Sequence, residues 1–243
     1  MKPEGRRGFA TTRWSLVVAA GARTEASEQA LATLCQTYWY ALYAYVRRCG
    51  YDIEQAEDLV QGFFLRLLDR KILQRAQPER GRFRSFLLAS LKHFMINEYD
   101  RARAAKRGGG AVPLTLDITA AEGRYALEPR DTLDPERLFE RRWAQTLFRQ
   151  AQVRLRTACV RSGKARLYQQ LEPFISGEDE NVPYRQVAAA LATTEGAARV
   201  AVHRLRRKFH DLLREEIAHT VDHESQVDEE LRFLLQTLAE TSS

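Results

Sequence analysis

The sequence predicts an all-α protein made of two small helical domains joined by a flexible linker. Apolar residues recur three and four positions apart along most of the chain, as they do on the buried face of a helix. No stretch of useful length alternates between apolar and polar residues, which is the pattern of a half-buried strand. Three glycines at 108–110 and the prolines that follow, up to Pro135, interrupt the helical pattern and divide it into two parts.

The charge of the chain is unevenly distributed. Its 243 residues contain 38 Lys and Arg against 32 Asp and Glu, a net charge of +6. Residues 215–243 contain eight acids and one base, and residues 108–136 contain six acids and two bases. The remaining helical segments are therefore strongly cationic, which indicates a polyanionic partner for them and a different role for the acidic segments.

Several classes of protein are excluded. The longest apolar run is too short for a membrane span, and residues 1–25 have no apolar core of the secretory type. Cys35, Cys49 and Cys159 have no metal-ligand or disulfide spacing, so we expect buried thiols in a cytoplasmic protein. No catalytic constellation and no phosphate-binding glycine motif is present, so we expect neither an enzyme nor a bound cofactor or metal.

Three helices are predicted in the first domain, residues 1–107. The first has apolar residues on one face up to Val46 and ends at Gly50. Asp52 caps the second helix, with Gln55 three residues later as in a capping box. The third runs from about residue 82 to 105. Residues 108–136 follow as an acidic flexible linker.

A helical period returns for a second domain, residues 137–216, and the chain ends in an acidic amphipathic tail, 217–243. For the tail helix we consider three roles. It caps the second domain, it masks the basic helices of that domain, or it docks a regulatory protein.

Two basic segments carry the candidate function. Between Arg80 and Arg107, four aromatic residues are interleaved with eight bases, a combination that suits single-stranded DNA because cations contact phosphates and rings stack on bases. An ordinary core helix with a solvated basic end is the alternative. In 182–213, a short helix from Tyr184, a tight turn at Ala192–Thr194 and a second helix capped by Thr194 form a helix-turn-helix pattern. A basic helical hairpin that does not bind DNA is the alternative there.

A third candidate is the segment AEDLVQGFFLRLL, residues 56–68. Its polar residues share one helix face, which is either a solvated face or a surface that docks another protein. The order DLVQGFFLRLL, GRFRSFLLASLKHF, basic residues, linker and terminal helix-turn-helix resembles the bacterial RNA polymerase sigma factors, in particular the extracytoplasmic-function (ECF) class. The resemblance covers about 27–107 and 137–214.

The resemblance implies a transcription initiation factor of the bacterial cytoplasm and nucleoid. It would bind the clamp helices and flap of core RNA polymerase, and promoter DNA, with an anti-sigma or other regulatory protein as a further partner. The polymerase-binding residues implied in this way are Asp58, Gln61 and Phe64. Those implied for minus-ten recognition and melting are Arg82, Phe83, Arg84, Phe86, Lys92, His93, Asn97, Arg101 and Arg103. Those implied for minus-thirty-five recognition are Thr194, Glu195, Arg199, His203, Arg204, Arg206, Arg207 and Lys208.

Two other functions are compatible with the sequence. One is a helix-turn-helix regulator that binds duplex DNA without being a polymerase subunit. The other is a helical adaptor whose basic faces bind acidic proteins. Binding to a palindromic operator without polymerase would favour the first. Protein binding that is insensitive to salt, with no affinity for DNA, would favour the second.

Overall fold

The computed structural model describes residues 25–68, 82–104, 118–126, 134–176, 183–221 and 223–240. These residues form helices and turns without a strand, so the all-α prediction is confirmed for the described part of the chain. The helices are α1 (Glu25–Arg48), α2 (Ile53–Leu68), α3 (Phe83–Ala104), α4 (Ile118–Tyr125), α5 (Pro135–Arg161), α6 (Ala165–Leu171), α7 (Pro173–Ser176), α8 (Tyr184–Ala190), α9 (Glu195–Ala218), a 3₁₀ helix (Glu224–Gln226) and α10 (Val227–Ala239). None of these helices is both long enough and apolar enough to cross a membrane.

The chain divides into two compact units. The first consists of Met1–Thr146 and Ala218–Ser243, and the second of Leu147–Ile217. The second unit begins at Leu147, inside α5. The sequence predicted that the second domain begins ten residues earlier, at residue 137. The C-terminal segment, expected as a separate tail, belongs to the first unit.

The junction between α1 and α2 has the predicted caps. Gly50 takes a φ of +96°, a conformation that costs glycine little, and its amide donates to the carbonyl of Arg47 at 3.1 Å. The amide of Gln55 donates to Asp52 Oδ1 at 2.8 Å, and the amide of Asp52 donates to Gln55 Oε1 at 3.3 Å. This reciprocal pair is the predicted capping box.

The core of the first unit lies between α1, α2 and α3. Large apolar side chains from all three helices are fully buried, among them Tyr38, Phe63 and Leu87. The side chain of Phe94 lies against α2 at Gly62, where an added Cβ would come within 3.2 Å of its ring. Glycine at this position therefore allows α3 to approach α2 closely.

A helix forms within the segment that the sequence predicted as a flexible linker. Ala121 of α4 is fully buried, and Glu122 accepts hydrogen bonds from Tyr43 Oη at 2.6 Å and from Arg47 Nε at 2.7 Å. Residues 118–125 are too few to show a clear helical period in the sequence. A helix this short is stabilised by tertiary contacts, here those with α1. Residues 108–117 and 127–133 of the expected linker lie outside the described residues.

Helix α10 completes the first unit. Val227, Leu231 and Leu234 on its inner face are buried, and Phe233 contacts Trp143 of α5 with ring centroids 6.4 Å apart. The sequence analysis placed Trp143 in the second domain, and the structure groups both Trp143 and α10 with the first unit. Residues of the first unit cover the apolar face of α10. The spacing of its leucines predicted this face but not the surface against which it packs.

The second unit contains the end of α5 together with α6 to α9. Phe209 of α9 meets Phe148 of α5 edge to face at 4.9 Å, and Val187 and Ala188 of α8 are buried. A turn at residues 191–194 separates α8 from α9, and Ala192 takes a φ of +50° in it. Thr194 Oγ1 accepts a hydrogen bond from the amide of Ala197 at 3.2 Å, which is the predicted N-cap.

Candidate nucleic-acid interface

The first residues of α3 include three of the nine side chains assigned to minus-ten DNA. Phe83 is fully buried and meets Tyr38 edge to face at 5.2 Å. Phe86 is half-buried and stacks on Phe83 with ring centroids 6.2 Å apart. Because these rings belong to the core of the first unit, Phe83 has no surface with which to stack on a DNA base.

Arg84 is also a core residue. Its side chain is only 6% exposed, and its Nε lies 2.6 Å from Oε1 of Glu230 on α10. Its Nη1 donates to Glu140 at 3.0 Å, and its guanidinium lies 3.9 Å from the ring centroid of Phe233. Carboxylates and rings therefore occupy the donors and the faces that a phosphate or a base would need.

Arg82 is partly accessible. Its side chain is 26% exposed and contacts two neighbouring carboxylates of α10. Nη2 lies 2.6 Å from Glu229 Oε1, and Nε lies 2.6 Å from Glu230 Oε2. The negative charges of the tail therefore lie against cations that the sequence assigned to DNA.

Lys92 forms a similar pair farther along α3. Its ammonium donates to Glu136 at the start of α5 and lies 5.8 Å from the ring centroid of Tyr45. The hydrogen bond from Lys92 lowers the pKa of Glu136 below its ordinary value. Glu122 and Glu136, two acids from the expected linker, thus pair with cations of the first unit.

The remaining candidates on α3 form an exposed row. His93, Asn97 and Arg101 follow one another at intervals of four residues and are all exposed. Arg101 is held by Glu98 at 2.6 Å, an ion pair on the surface of the same helix. Ile96 and Tyr99, which the sequence analysis did not assign, are also exposed beside this row. The side chain of Arg103 lies outside the described residues.

The face of α2 assigned to the polymerase separates into two layers. Asp58 is exposed, and Gln61 is half-buried and donates to Glu57 at 2.8 Å. Phe64 is fully buried, so its side chain supports this face from beneath.

A depression of about 460 Å³ adjoins Asp58 between α2 and α3. It is lined in part by Leu59, Arg66 and Arg101. The sequence analysis did not assign Leu59 or Arg66, because the tertiary packing of α2 on α3 brings them to this edge.

In the second unit, α9 presents its cations outward. All eight minus-thirty-five candidates are exposed. Seven of them lie on α9, and the eighth is the capping Thr194 that precedes the helix. Arg199 Nη2 pairs with Glu195 at 2.7 Å, and the guanidinium lies 4.5 Å from the ring centroid of Tyr184 on α8. Tyr184, which the sequence analysis did not assign, therefore supports the cation nearest the start of α9.

Arg206 has an additional contact within the unit. Its Nε donates to the backbone carbonyl of Phe174 on α7 at 3.0 Å. A helix C-terminal carbonyl is a favourable partner for a cation, so this contact ties α9 to α7. Arg206 is exposed like its neighbours His203, Arg204, Arg207 and Lys208, but it also holds α9 against α7.

The first unit contains the segment that matches a known family. Residues 34–105 match the model of sigma-70 region 2, and this segment extends from α1 through α3. No curated protein and no solved structure matches the chain. The chain therefore contains a segment similar to sigma-70 region 2, and this match supports a sigma-70 family factor. Members of that family are transcription initiation factors and not enzymes.

Proposed function

We propose that this chain is an ECF-class sigma factor that binds core RNA polymerase and directs it to promoters with minus-ten and minus-thirty-five elements. The observation that carries the proposal is the match of residues 34–105 to sigma-70 region 2. A second helical unit with outward cations on α9 supports a second contact with DNA. The polymerase supplies all catalysis, and an anti-sigma or other regulatory protein is a further partner in the bacterial cytoplasm and nucleoid.

The polymerase-binding surface is the outward face of α2. Asp58 is exposed there, with Gln61 beside it and Phe64 buried beneath it. An exposed carboxylate beside a depression lined by both apolar and charged residues suits a complementary protein surface, because charge fixes the orientation and apolar contact adds affinity. The clamp helices of the polymerase are the partner that the resemblance implies for this face.

The minus-ten surface is the exposed row on α3. His93, Asn97 and Arg101 reach solvent, and Arg101 pairs with Glu98 of its own helix. Arg84 and Lys92 pair instead with carboxylates from α10 and α5. Donors on a helix face contact bases and phosphates only where DNA can reach them. We therefore assign minus-ten contacts to this row and a structural role to Phe83 and Arg84.

The minus-thirty-five surface is the outward face of α9, used as the second helix of a helix-turn-helix. Arg199 lies in the second turn of α9, near the end that recognition helices place against base edges. The other exposed cations, Arg204, Arg206, Arg207 and Lys208, lie farther along the helix, where they suit phosphate contacts. The four-residue turn at 191–194 and the Thr194 cap support this arrangement.

The proposal is tested by transcription in vitro from a genomic DNA library, using core polymerase with and without this protein. We expect a defined set of start sites only when the protein is present. Asp58→Ala is expected to reduce polymerase binding and these transcripts together without unfolding the protein, because Asp58 is exposed. Glu25→Ala, which removes an exposed carboxylate from α1, is the matched control.

Two results would contradict the proposal. The absence of protein-dependent start sites would exclude a sigma factor. Sequence-specific binding to a palindromic site, with no affinity for core polymerase, would instead identify a helix-turn-helix regulator. Unchanged polymerase binding after both Asp58→Ala and Gln61→Ala would remove the α2 face from the proposal.

A further inference from the structure

The last helix of the chain brings two consecutive acids to the start of α3. Glu229 and Glu230 lie on α10, and Arg82 and Arg84 lie at the start of α3, before the exposed row of the minus-ten surface on the same helix. Three nitrogen–oxygen pairs between these four side chains measure 2.6 Å. The positions of these residues in the sequence gave no indication of this contact, because they are separated by 146 residues in the case of Arg84 and Glu230.

The two acids have different environments. Glu230 is 1% exposed, and its partner Arg84 is 6% exposed, so this pair is part of the core. Glu229 is 63% exposed, and its partner Arg82 is 26% exposed. Water and ions therefore reach the outer pair, whereas the inner pair holds α10 in place.

Glu229 occupies a donor group of Arg82 that a phosphate would also use. A carboxylate and a nucleic-acid phosphate use the same guanidinium N–H donors. Glu229 occupies Nη2 of Arg82, and Glu230 separately occupies its Nε. A phosphate that binds Arg82 must therefore displace Glu229, while Arg82 remains held through Nε.

We infer that α10 is an internal acidic cap, in which Glu229 competes with nucleic-acid phosphates for Arg82 and so lowers the affinity of the free protein for DNA. The inference rests on the proposed function, because it requires that DNA bound along the exposed row of α3 also reaches Arg82 at the start of this helix. Glu230 acts through its buried pair with Arg84, which keeps Glu229 within reach of Arg82. Promoter DNA presented by the polymerase has additional contacts and outcompetes the carboxylate.

The test uses the full chain and a short single-stranded oligonucleotide of mixed sequence, with affinity measured by fluorescence anisotropy over a range of salt concentrations. Glu229→Gln is expected to raise the affinity at low salt by roughly two- to fivefold, the range typical of one exposed ion pair. The slope of log affinity against log salt is expected to become steeper by about 0.7, as for one additional phosphate contact on a single strand.

Two further variants make the test specific. Glu224→Gln removes one exposed negative charge just before α10, so it controls for net charge. Arg82→Gln removes the cation over which the carboxylate and the phosphate compete. We expect Glu224→Gln to leave the affinity unchanged, and we expect Glu229→Gln to have no effect when Arg82 is also replaced.

The outcomes separate this inference from the proposed function. An equal gain from Glu224→Gln, or a gain that persists without Arg82, overturns the inference. An unchanged affinity of Glu229→Gln, in a protein that still directs promoter-specific transcription, overturns the inference and leaves the proposed function intact. Failure of the wild-type protein to direct transcription overturns the proposed function itself.

Discussion

Arg84 Nε and Glu230 Oε1 lie 2.6 Å apart although 146 positions separate the two residues in the chain. Both side chains are almost completely buried, and the rings of Trp143 and Phe233 lie over the guanidinium. A charge in such a site depends on its partner, because water cannot solvate it there. This pair makes the C-terminal helix a structural part of the unit that contains the segment similar to region 2.

Replacing Glu230 is therefore expected to destabilise the first unit. Glu230→Gln removes the charge that balances Arg84, and a broken buried pair typically costs about 3–5 kcal/mol. The remaining partner, Glu140, places the expected loss near the lower end of this range. Urea unfolding monitored by tryptophan fluorescence measures it, since Trp143 lies beside the pair.

The control for this prediction is Glu240→Gln near the end of the same helix, where the side chain is exposed. A double variant, Arg84→Met with Glu230→Leu, is expected to be more stable than Glu230→Gln, because it removes both charges of the buried pair. Glu140, the other partner of Arg84, is 31% exposed, so water can solvate it in this variant. Equal stabilities of Glu230→Gln and the wild-type protein would show that the pair does not hold α10.

Arg199 and Tyr184 give a prediction for duplex DNA. Arg199→Ala is expected to weaken binding to minus-thirty-five DNA by roughly 1–3 kcal/mol, as for a residue that reads a base. Tyr184→Leu is expected to cause part of this loss, because the ring supports the guanidinium at 4.5 Å. Tyr184→Phe keeps the ring and is expected to bind like the wild-type protein. Affinity for duplexes with and without the promoter element measures each effect.

The double variant Tyr184→Leu with Arg199→Ala shows whether Tyr184 affects DNA binding through Arg199 or only through packing within the unit. If Tyr184 acts through Arg199, Tyr184→Leu has no further effect on DNA binding once Arg199 is alanine. Additive losses from the two substitutions would contradict this coupling.

The three cysteines are expected to react at different rates. Cys35 and Cys159 are buried, and burial raises the pKa of Cys35 to about 12, so its thiolate is scarce. Cys49 is exposed, contrary to the expectation that all three thiols are buried, and partial burial of its thiol also raises its pKa. A thiol reagent is therefore expected to label one cysteine in the native protein, faster as the pH rises. Mass spectrometry identifies the site, and Cys49→Ser is expected to abolish this labelling.

The contribution of Glu122 on α4 to the stability of the fold is expected to depend on pH. Burial alone would raise the pKa of Glu122, but hydrogen bonds from Arg47 and Tyr43 lower it below the ordinary value of 4.5. The folded state therefore binds a proton less readily than the unfolded state, so this carboxylate stabilises the fold above pH 4.5. The stabilisation is lost as the pH falls through the lower folded pKa.

Thermal unfolding of the wild-type protein and Glu122→Gln, measured above and below pH 4.5, tests this prediction. We expect the difference in Tm between the two proteins to be largest above that pH and to shrink below it. A difference that is the same at every pH would show that Glu122 contributes through packing and not through its charge.

Local sequence determined the helices and their ends. The apolar period of α1 to α3, Gly50, the Asp52–Gln55 capping box and the Thr194 cap each depend on residues a few positions apart, so they are visible in the sequence. The segment that matches region 2 was visible for the same reason, because its motifs are continuous along α2 and α3.

The tertiary structure decided which polar and aromatic side chains remain available. Arg84 and His93 are both polar residues of one helix, and only their distant neighbours bury the first and leave the second exposed. The acids that neutralise Arg82, Arg84 and Lys92 come from α5 and α10, far along the chain. The composition gives the number of these charges but not which of them pair. Ion pairing depends on distances of a few ångströms, and the tertiary fold determines these distances.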